Sequence, residues 1–298
     1  MSAFLFIKVE LADENYADIN PPFKRKRRLK IGTFKVTSNG YKLGERFLKI
    51  IFDNALKQKV EEIYVTIFDK RQEQVRLIKL LEEWGFNFHG TKTTVNGDEV
   101  LFVKKFVKGK ADPANPKKTY PFLQWDSSFF IVPIYPEYHT ELFPDSMLRT
   151  ESAMDFVENK PHRNAVSKVY ISRSYERRLD PGDLIVFYRT GGVYGGVATT
   201  VGIVESVVTD IPDEATFVAL CRKRSVFTDD ELKEHWNFKK NNRPFIVNFL
   251  YSFSYAKRPT LKWLNEKGII PNVLDMPRGF RRISKEDFIT IAEYSRNV

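Results

Sequence analysis

The stretch KIGTFKVTSNGYKLGERFLKII, residues 30–51, sets the reading of the first third of the chain. Lys30 to Val36 alternates apolar and polar side chains, the period of a half-buried strand. Thr37-Ser38-Asn39-Gly40 breaks that pattern. From Leu43 onward the apolar positions Leu43, Phe47, Ile50, Ile51 and Leu56 recur at helical spacing, which predicts a helix ending near Lys59. Working outward, Ile63 to Phe68 (IYVTIF) is β-branched and aromatic and reads as a buried strand. Val75, Ile78, Leu81 and Trp84 mark a second amphipathic helix, stopped by Gly85. Phe86 to Thr94 and Glu99 to Phe106 read as strands joined at Asn96-Gly97, a strong hairpin signal. Upstream, Phe4 to Val9 supplies one more strand. The order is strand, helix, strand, helix, hairpin.

A basic stretch separates this part from the rest. Residues 107–120 hold Gly109, Pro113, Pro116 and several lysines without apolar periodicity, so they read as a linker between a domain at 1–106 and one at 121–298. In the second part, Phe129–Tyr135, Ser167–Ser172, Leu184–Tyr188, Val197–Val208 and Pro244–Tyr255 read as strands. Asp180-Pro181-Gly182-Asp183 is a turn feeding the third of them. Thr228-Asp229-Asp230-Glu231 is a capping box, and Ser284-Lys285-Glu286-Asp287 opens a last helix. The glycines at 191–196 lack a phosphate-loop pattern and read as a strand connection. Short strands with turns and a few helices predict a small β-barrel with peripheral helices, and an α+β class overall.

Composition narrows the partners. The chain has 298 residues, 48 Lys or Arg against 38 Asp or Glu, and a net charge of +10. A positive excess favours a polyanionic partner. It is concentrated at Lys24, Arg25, Lys26, Arg27, Arg28 and Lys30, along the linker, and at Arg173, Arg177 and Arg178. Each cluster reads either as a solvated face or as a surface for phosphates. Tyr175, Tyr188 and Arg189 add stacking faces and a further cation, with core packing the alternative for Tyr188. The single cysteine, Cys221, forms no internal disulfide, and a reducing, cytoplasmic compartment is the simplest expectation. No apolar run approaches the roughly 18 residues that span a bilayer, so no membrane is expected. The four histidines lack metal-ligand spacing, so no metal is expected.

The order of the first part, its loop at Asn39-Gly40-Tyr41-Lys42-Leu43-Gly44 and its Trp84-Gly85-Phe86 ending resemble the core of the GNAT acyltransferase superfamily. In that family the loop pattern is Gln/Arg-x-x-Gly-x-Gly/Ala, and its amides with the following helix N-terminus hold the pyrophosphate of acetyl-CoA, as unpaired N–H groups stabilise anions generally. The resemblance implies cofactor contacts at Val36, Asn39, Gly40, Tyr41, Lys42, Leu43, Gly44 and Glu45. Asn39 stands where the pattern has Gln/Arg, and Lys42 where it has its middle glycine. Leu81 stands where the family often carries a tyrosine as general acid, and only Gln74 matches its helix asparagine. The segment before the loop is short for the family, which leaves a fragment of a longer chain or a degenerate scaffold as alternatives.

The run from Leu179 to Tyr188, followed by Gly202-Ile203-Val204-Glu205-Ser206-Val207 and the closing Arg281–Phe288, is similar to the PUA-like superfamily in its ASCH and EVE branches. That resemblance implies binding of RNA or DNA, with a base or modified base held by stacking and edge hydrogen bonds. Together the resemblances imply acetyl transfer to an amine on or near a nucleic-acid target. The alternative is a non-enzymatic nucleic-acid reader whose first domain is a scaffold for a protein partner. A further alternative is an ASCH-type amidohydrolase using Lys168, Ser172 and Glu205. The sequence names no catalytic residue for acyl transfer.

Overall fold

The computed structural model describes residues 3–36, 43–107, 109, 112–146, 163, 165–222, 224–272 and 276–296. The chain divides into two compact units, one formed by residues 1–110 with 117–122, the other by 111–116 with 123–298. The class is α+β, with one six-stranded mixed sheet in each unit.

The first unit contains β1 (Ala3–Glu10), β2 (Ile19–Asn20), β3 (Arg28–Val36), α1 (Leu43–Gln58), β4 (Glu62–Ile67), α2 (Gln72–Glu83), β5 (Asn87–Thr94) and β6 (Gly97–Lys105). Its sheet runs β1-β3-β4-β6-β5-β2. The alternating run at 30–36 forms most of β3, and the helix over 43–58 stops one residue short of Lys59, which adopts φ 50°. The two central strands are parallel, but they pair only over their first four residues, Arg28–Ile31 against Glu62–Val65. Beyond that point β3 stays paired to β1 and β4 to β6, so the two halves of the sheet part company.

The segment read as the end of a linker is folded. A short helix α3 (Pro116–Thr119) leads to Tyr120, which is 1% exposed and packs on Phe52 and Trp84 at ring distances of 5.6 and 5.4 Å. Lysine-rich composition signalled solvent, yet one aromatic side chain suffices to anchor the segment by apolar burial. Lys104, also 1% exposed, donates from Nζ to the carbonyls of Trp84 (2.7 Å) and Lys118 (2.8 Å), so it ties the end of α2 to this segment.

The second unit contains β7 (Phe129–Ile134), α4 (Pro136–Leu142), a 3-10 turn (Pro144–Ser146), β8 (Ser167–Ser172), β9 (Leu184–Arg189), α5 (Gly192–Gly195), β10 (Val197–Val208), α6 (Glu214–Cys221), α7 (Asp229–Asn237), β11 (Phe245–Ser254), α8 (Leu261–Glu266), β12 (Arg281–Ile283) and α9 (Lys285–Arg296). The sheet order is β12-β7-β9-β10-β11-β8. The expected barrel takes the form of a rolled sheet around Phe130, Phe143, Phe187, Phe249 and Phe280. No ladder joins β8 to β7 or β12 among the described residues. Side chains bridge that seam instead. Tyr170 of β8 donates its hydroxyl to the Pro133 carbonyl of β7 at 2.5 Å, and Ser174 Oγ accepts from the Phe280 N–H at 3.0 Å. The Gly-Asp turn has a structural task. Asp183 accepts from the Ser128 and Asp180 amides, both at 2.8 Å, which fixes the start of β9 beside β7. On the outer face, α6 and α7 cover Val169 and Ile246 through Phe217, Leu232 and Trp236.

Candidate functional site

Each unit carries a cavity lined by both polar and apolar side chains. In the first unit, the divergence of β3 from β4 opens a cleft of about 640 Å³ above α2, lined by Phe34, Val36, Gly44, Ile67, Arg76 and Leu80 among others. Residues 32–36 of β3 have no sheet partner on the β4 side among the described residues, which leaves backbone groups facing the gap. Gly44 lets α1 come close to α2, because a Cβ there would stand 2.7 Å from Leu80 Cδ2. Of the expected cofactor contacts, Val36 and Gly44 line this cleft, while Leu43 and Glu45 open α1 beside them. Asn39, Gly40, Tyr41 and Lys42 lie outside the described residues. The described part of the cleft also includes Gln72 and the Glu73 carboxylate. It offers a strand edge, an apolar wall and the Arg76 cation. Gln74 closes a capping interaction, accepting from the Arg71 amide at 2.9 Å, and Leu81 is fully buried, so neither supplies an acid to the cleft.

In the second unit a cavity of about 630 Å³ lies against β7, β8 and α7. Its walls include Tyr135, Tyr138, Tyr170, Phe227, His235 and Arg278. The rings interlock. Tyr138 meets Phe227 at 4.7 Å and Phe227 meets His235 at 4.4 Å, both edge to face, and Tyr135 meets Tyr138 at 6.3 Å. Such contacts fix ring orientation and leave faces for a planar guest. Tyr135 is 63% exposed and stands at the mouth. Burial, and then the cation of Arg173, push the His235 imidazole below its usual range. At neutral pH it therefore offers one donor and one acceptor, the pair that reads a base edge. Burial raises the Tyr138 and Tyr170 phenols, with Glu137 adding to the first. Both stay protonated, and the Tyr170 hydroxyl is spent on Pro133, so this ring contributes only its face.

The sequence-predicted nucleic-acid residues are scattered by the fold. Tyr188 is fully buried, its hydroxyl 3.6 Å from Met276 Sδ and pushed up to about 12 by burial, so it packs in the core and does not stack on a ligand. Arg177 is held by Asn242 (2.6 Å) and the Arg243 carbonyl (3.0 Å) over the Phe245 ring, and serves the structure. Tyr175 is 98% exposed, Arg178 is exposed, Arg173 is half-buried and Arg189 half-buried at the end of β9. In the first unit, Arg28 is 2% exposed and donates to Glu62 at 2.8 Å, so it reaches no phosphate. Lys26 also pairs with Glu62, at 3.0 Å, and Arg27 donates to Gln58 at 2.9 Å. Lys24 and Arg25 are left as exposed cations of that cluster.

Two members of the amidohydrolase set share one strand. Lys168 and Ser172 are four residues apart on β8, about 13 Å at strand rise, and Lys168 Nζ donates to the Arg163 carbonyl at 2.7 Å. Among the described residues no cluster of His, Cys, Asp and Glu would hold a metal, and no helix is long and apolar enough to cross a membrane. Sequence reading missed the walls of the second cavity, which come from several separate segments between Pro133 and Arg278. The local signals were Tyr135 and Tyr138 flanking Pro136, and Phe227 one residue before the Thr228 cap.

No family model matches this chain, and no curated protein matches it. Solved structures do. The NatC complex bound to Gag peptide and CoA is similar over 36% of this chain and 62% of that one, with 15% identity and a TM-score of 0.27. Human THYN1 protein in complex with 5-methylcytosine containing DNA is similar over 58% of this chain and 99% of that one, with 12% identity and a TM-score of 0.35. This chain thus spans less than two thirds of the first of these.

Proposed function

We propose that the chain is a nucleic-acid reader that takes one base of a strand into the aromatic cavity of its second unit. The observation that carries this reading is the interlocked Tyr138–Phe227–His235 wall beside a neutral imidazole. Unstacked bases are recognised in this way, by aromatic faces with a few edge donors and acceptors. Fluorescence anisotropy with a short labelled single strand tests it. Phe227→Ala should weaken binding by about thirtyfold, the size of one lost base–aromatic stack. Unchanged affinity in that variant would remove the reading.

A second role is favoured by the parted strands of the first unit. The cleft beside Val36 and Gly44 would hold acyl-CoA, with the strand edge of β3 along its arm and Arg76 near its phosphates. When bound, acyl-CoA supplies an activated thioester for transfer to an amine. Among the described residues Phe34, Ile67 and Leu80 would hold the ligand and exclude water, and Leu81 presents no general acid. Binding without turnover is therefore the form of this role that the side chains favour, with acetyl transfer to a nucleic-acid-borne amine as its extension. Calorimetric titration with acetyl-CoA should give binding that Arg76→Glu weakens about tenfold by charge reversal near a phosphate. Absence of binding by the unaltered protein would exclude the cofactor.

A further inference from the structure

Arg173 follows β8, whose Val169, Tyr170 and Ile171 all line the aromatic cavity, and it lies close enough to His235 of the cavity wall for its charge to act on that imidazole. Its guanidinium carbon lies 5.4 Å from the centre of the Phe238 ring. Nε and Nη2 are both buried and have no hydrogen-bond partner among the described residues. These two nitrogens form one edge of the planar fork, the edge that pairs with two oxygens of an oxyanion. The neighbouring charge is of the same sign. Arg243 stacks on Trp236 at 4.6 Å and donates from Nη1 to the Trp236 carbonyl. Lys239 sits 5.5 Å from the same Phe238 ring. Neither Arg173, Arg243 nor Lys239 is paired with a carboxylate among the described residues. Buried donors without acceptors and like charges held together are both unfavourable, and an anion among them would relieve both.

We propose that the Nε–Nη2 edge of Arg173, backed by Arg243 and Lys239, is a phosphate subsite that holds a phosphodiester beside the nucleotide whose base enters the cavity. The proposal rests on the base-binding reading above and adds which phosphate contact positions the strand. A phosphodiester is favoured over a carboxylate because Phe238, 71% exposed beside the fork, offers a face for the neighbouring base.

Short single strands of DNA and of RNA, each carrying one neutral methylphosphonate linkage at a time, test the subsite by anisotropy. At one linkage the replacement should weaken binding to the unaltered protein about tenfold, and to Arg173→Met less than about twofold, because the partner is already gone. Arg173→Lys, which keeps the charge and loses the fork, should recover part of the affinity. The melting temperature of Arg173→Met should match or exceed that of the parent, since the change removes unpaired buried donors, whereas a purely structural arginine would lower it. If every linkage tolerates replacement, or the cost persists in Arg173→Met, the subsite is wrong, and a loss of binding in Phe227→Ala would show that the base cavity survives it. If Phe227→Ala binds as the parent does, the cavity assignment falls and takes the placement of the subsite with it. Failure of the unaltered protein to bind either strand overturns both.

Discussion

The cleft of the first unit and the cavity of the second are of nearly equal size and are built on opposite principles. The cleft exists because two backbones diverge after four paired residues, with glycine at the point where α1 nears α2. The cavity exists because the rings of Tyr135, Tyr138, Phe227 and His235, on α4, α7 and the residues just before them, lean on one another. A site made by backbone is sensitive to anything that moves helices and strands. A site made by side chains is sensitive to single truncations that leave the fold intact.

The largest effect is expected where backbone geometry is tightest. Gly85 ends α2 at φ 82°, and a Cβ there would stand 2.3 Å from the Lys118 carbonyl oxygen. Gly85→Ala should destabilise the first unit by about 3 kcal/mol, from the left-handed backbone and the clash together. Acetyl-CoA binding should fall with it, while the oligonucleotide affinity of the second unit stays within about twofold. An equal loss of both would show that the two sites do not stand on separate supports.

Next comes the cation beneath that helix end. Lys104 is buried with two carbonyl acceptors and the Phe52 ring, 5.3 Å from Nζ, and no carboxylate among its described partners. Burial pushes its amine down to about 7. Between about pH 7 and the ordinary lysine value near 10.4 the unfolded chain binds more protons than the folded one, so stability rises with pH across that window. The cost of burying the charge is in full force below pH 7 and fades above it. Denaturant unfolding of the parent relative to Lys104→Met should show the parent gaining about 1–2 kcal/mol from about pH 7 to pH 9. A flat difference would mean that the two carbonyls hold the ammonium charged throughout.

The same contrast explains what was legible in the sequence. The first unit is written in local order. The alternation at 30–36, the helical spacing from Leu43 and the Asn96-Gly97 turn each specify an element, and their sequence specifies the sheet. The parting of β3 and β4 is a long-range property, so it became visible only with the pairing register. The second cavity was illegible for a different reason. Tyr138, Tyr170, Phe227 and His235 are ordinary apolar-face residues in their own segments, and only the rolled sheet brings them together. Helices were missed where caps or periodicity were unhelpful. α4 starts at Pro136 with Tyr135 as its cap, and α6 is apolar almost all round. Charge runs misled most. Six cations in seven residues looked like one surface, yet Glu62 claims Lys26 and Arg28.

The smallest expected effect separates two neighbouring arginines that composition cannot tell apart. Arg177 donates to Asn242 and to the Arg243 carbonyl, so it holds the loop after β8 against the start of β11. Arg178 is exposed, and the contact described for it is its backbone amide on Glu176. Arg177→Ala should cost about 1 kcal/mol of stability, the worth of a charge-assisted bond at a half-buried site. Its effect on strand binding should be indirect and small. Arg178→Glu should leave stability unchanged and weaken strand binding about threefold at low salt, an effect that disappears as added salt screens an exposed charge. The reverse pattern would place Arg177 on the strand and Arg178 off it. Surface charge would then matter here through the loop it orders, as backbone does in the first unit, and the division between the two sites would no longer hold.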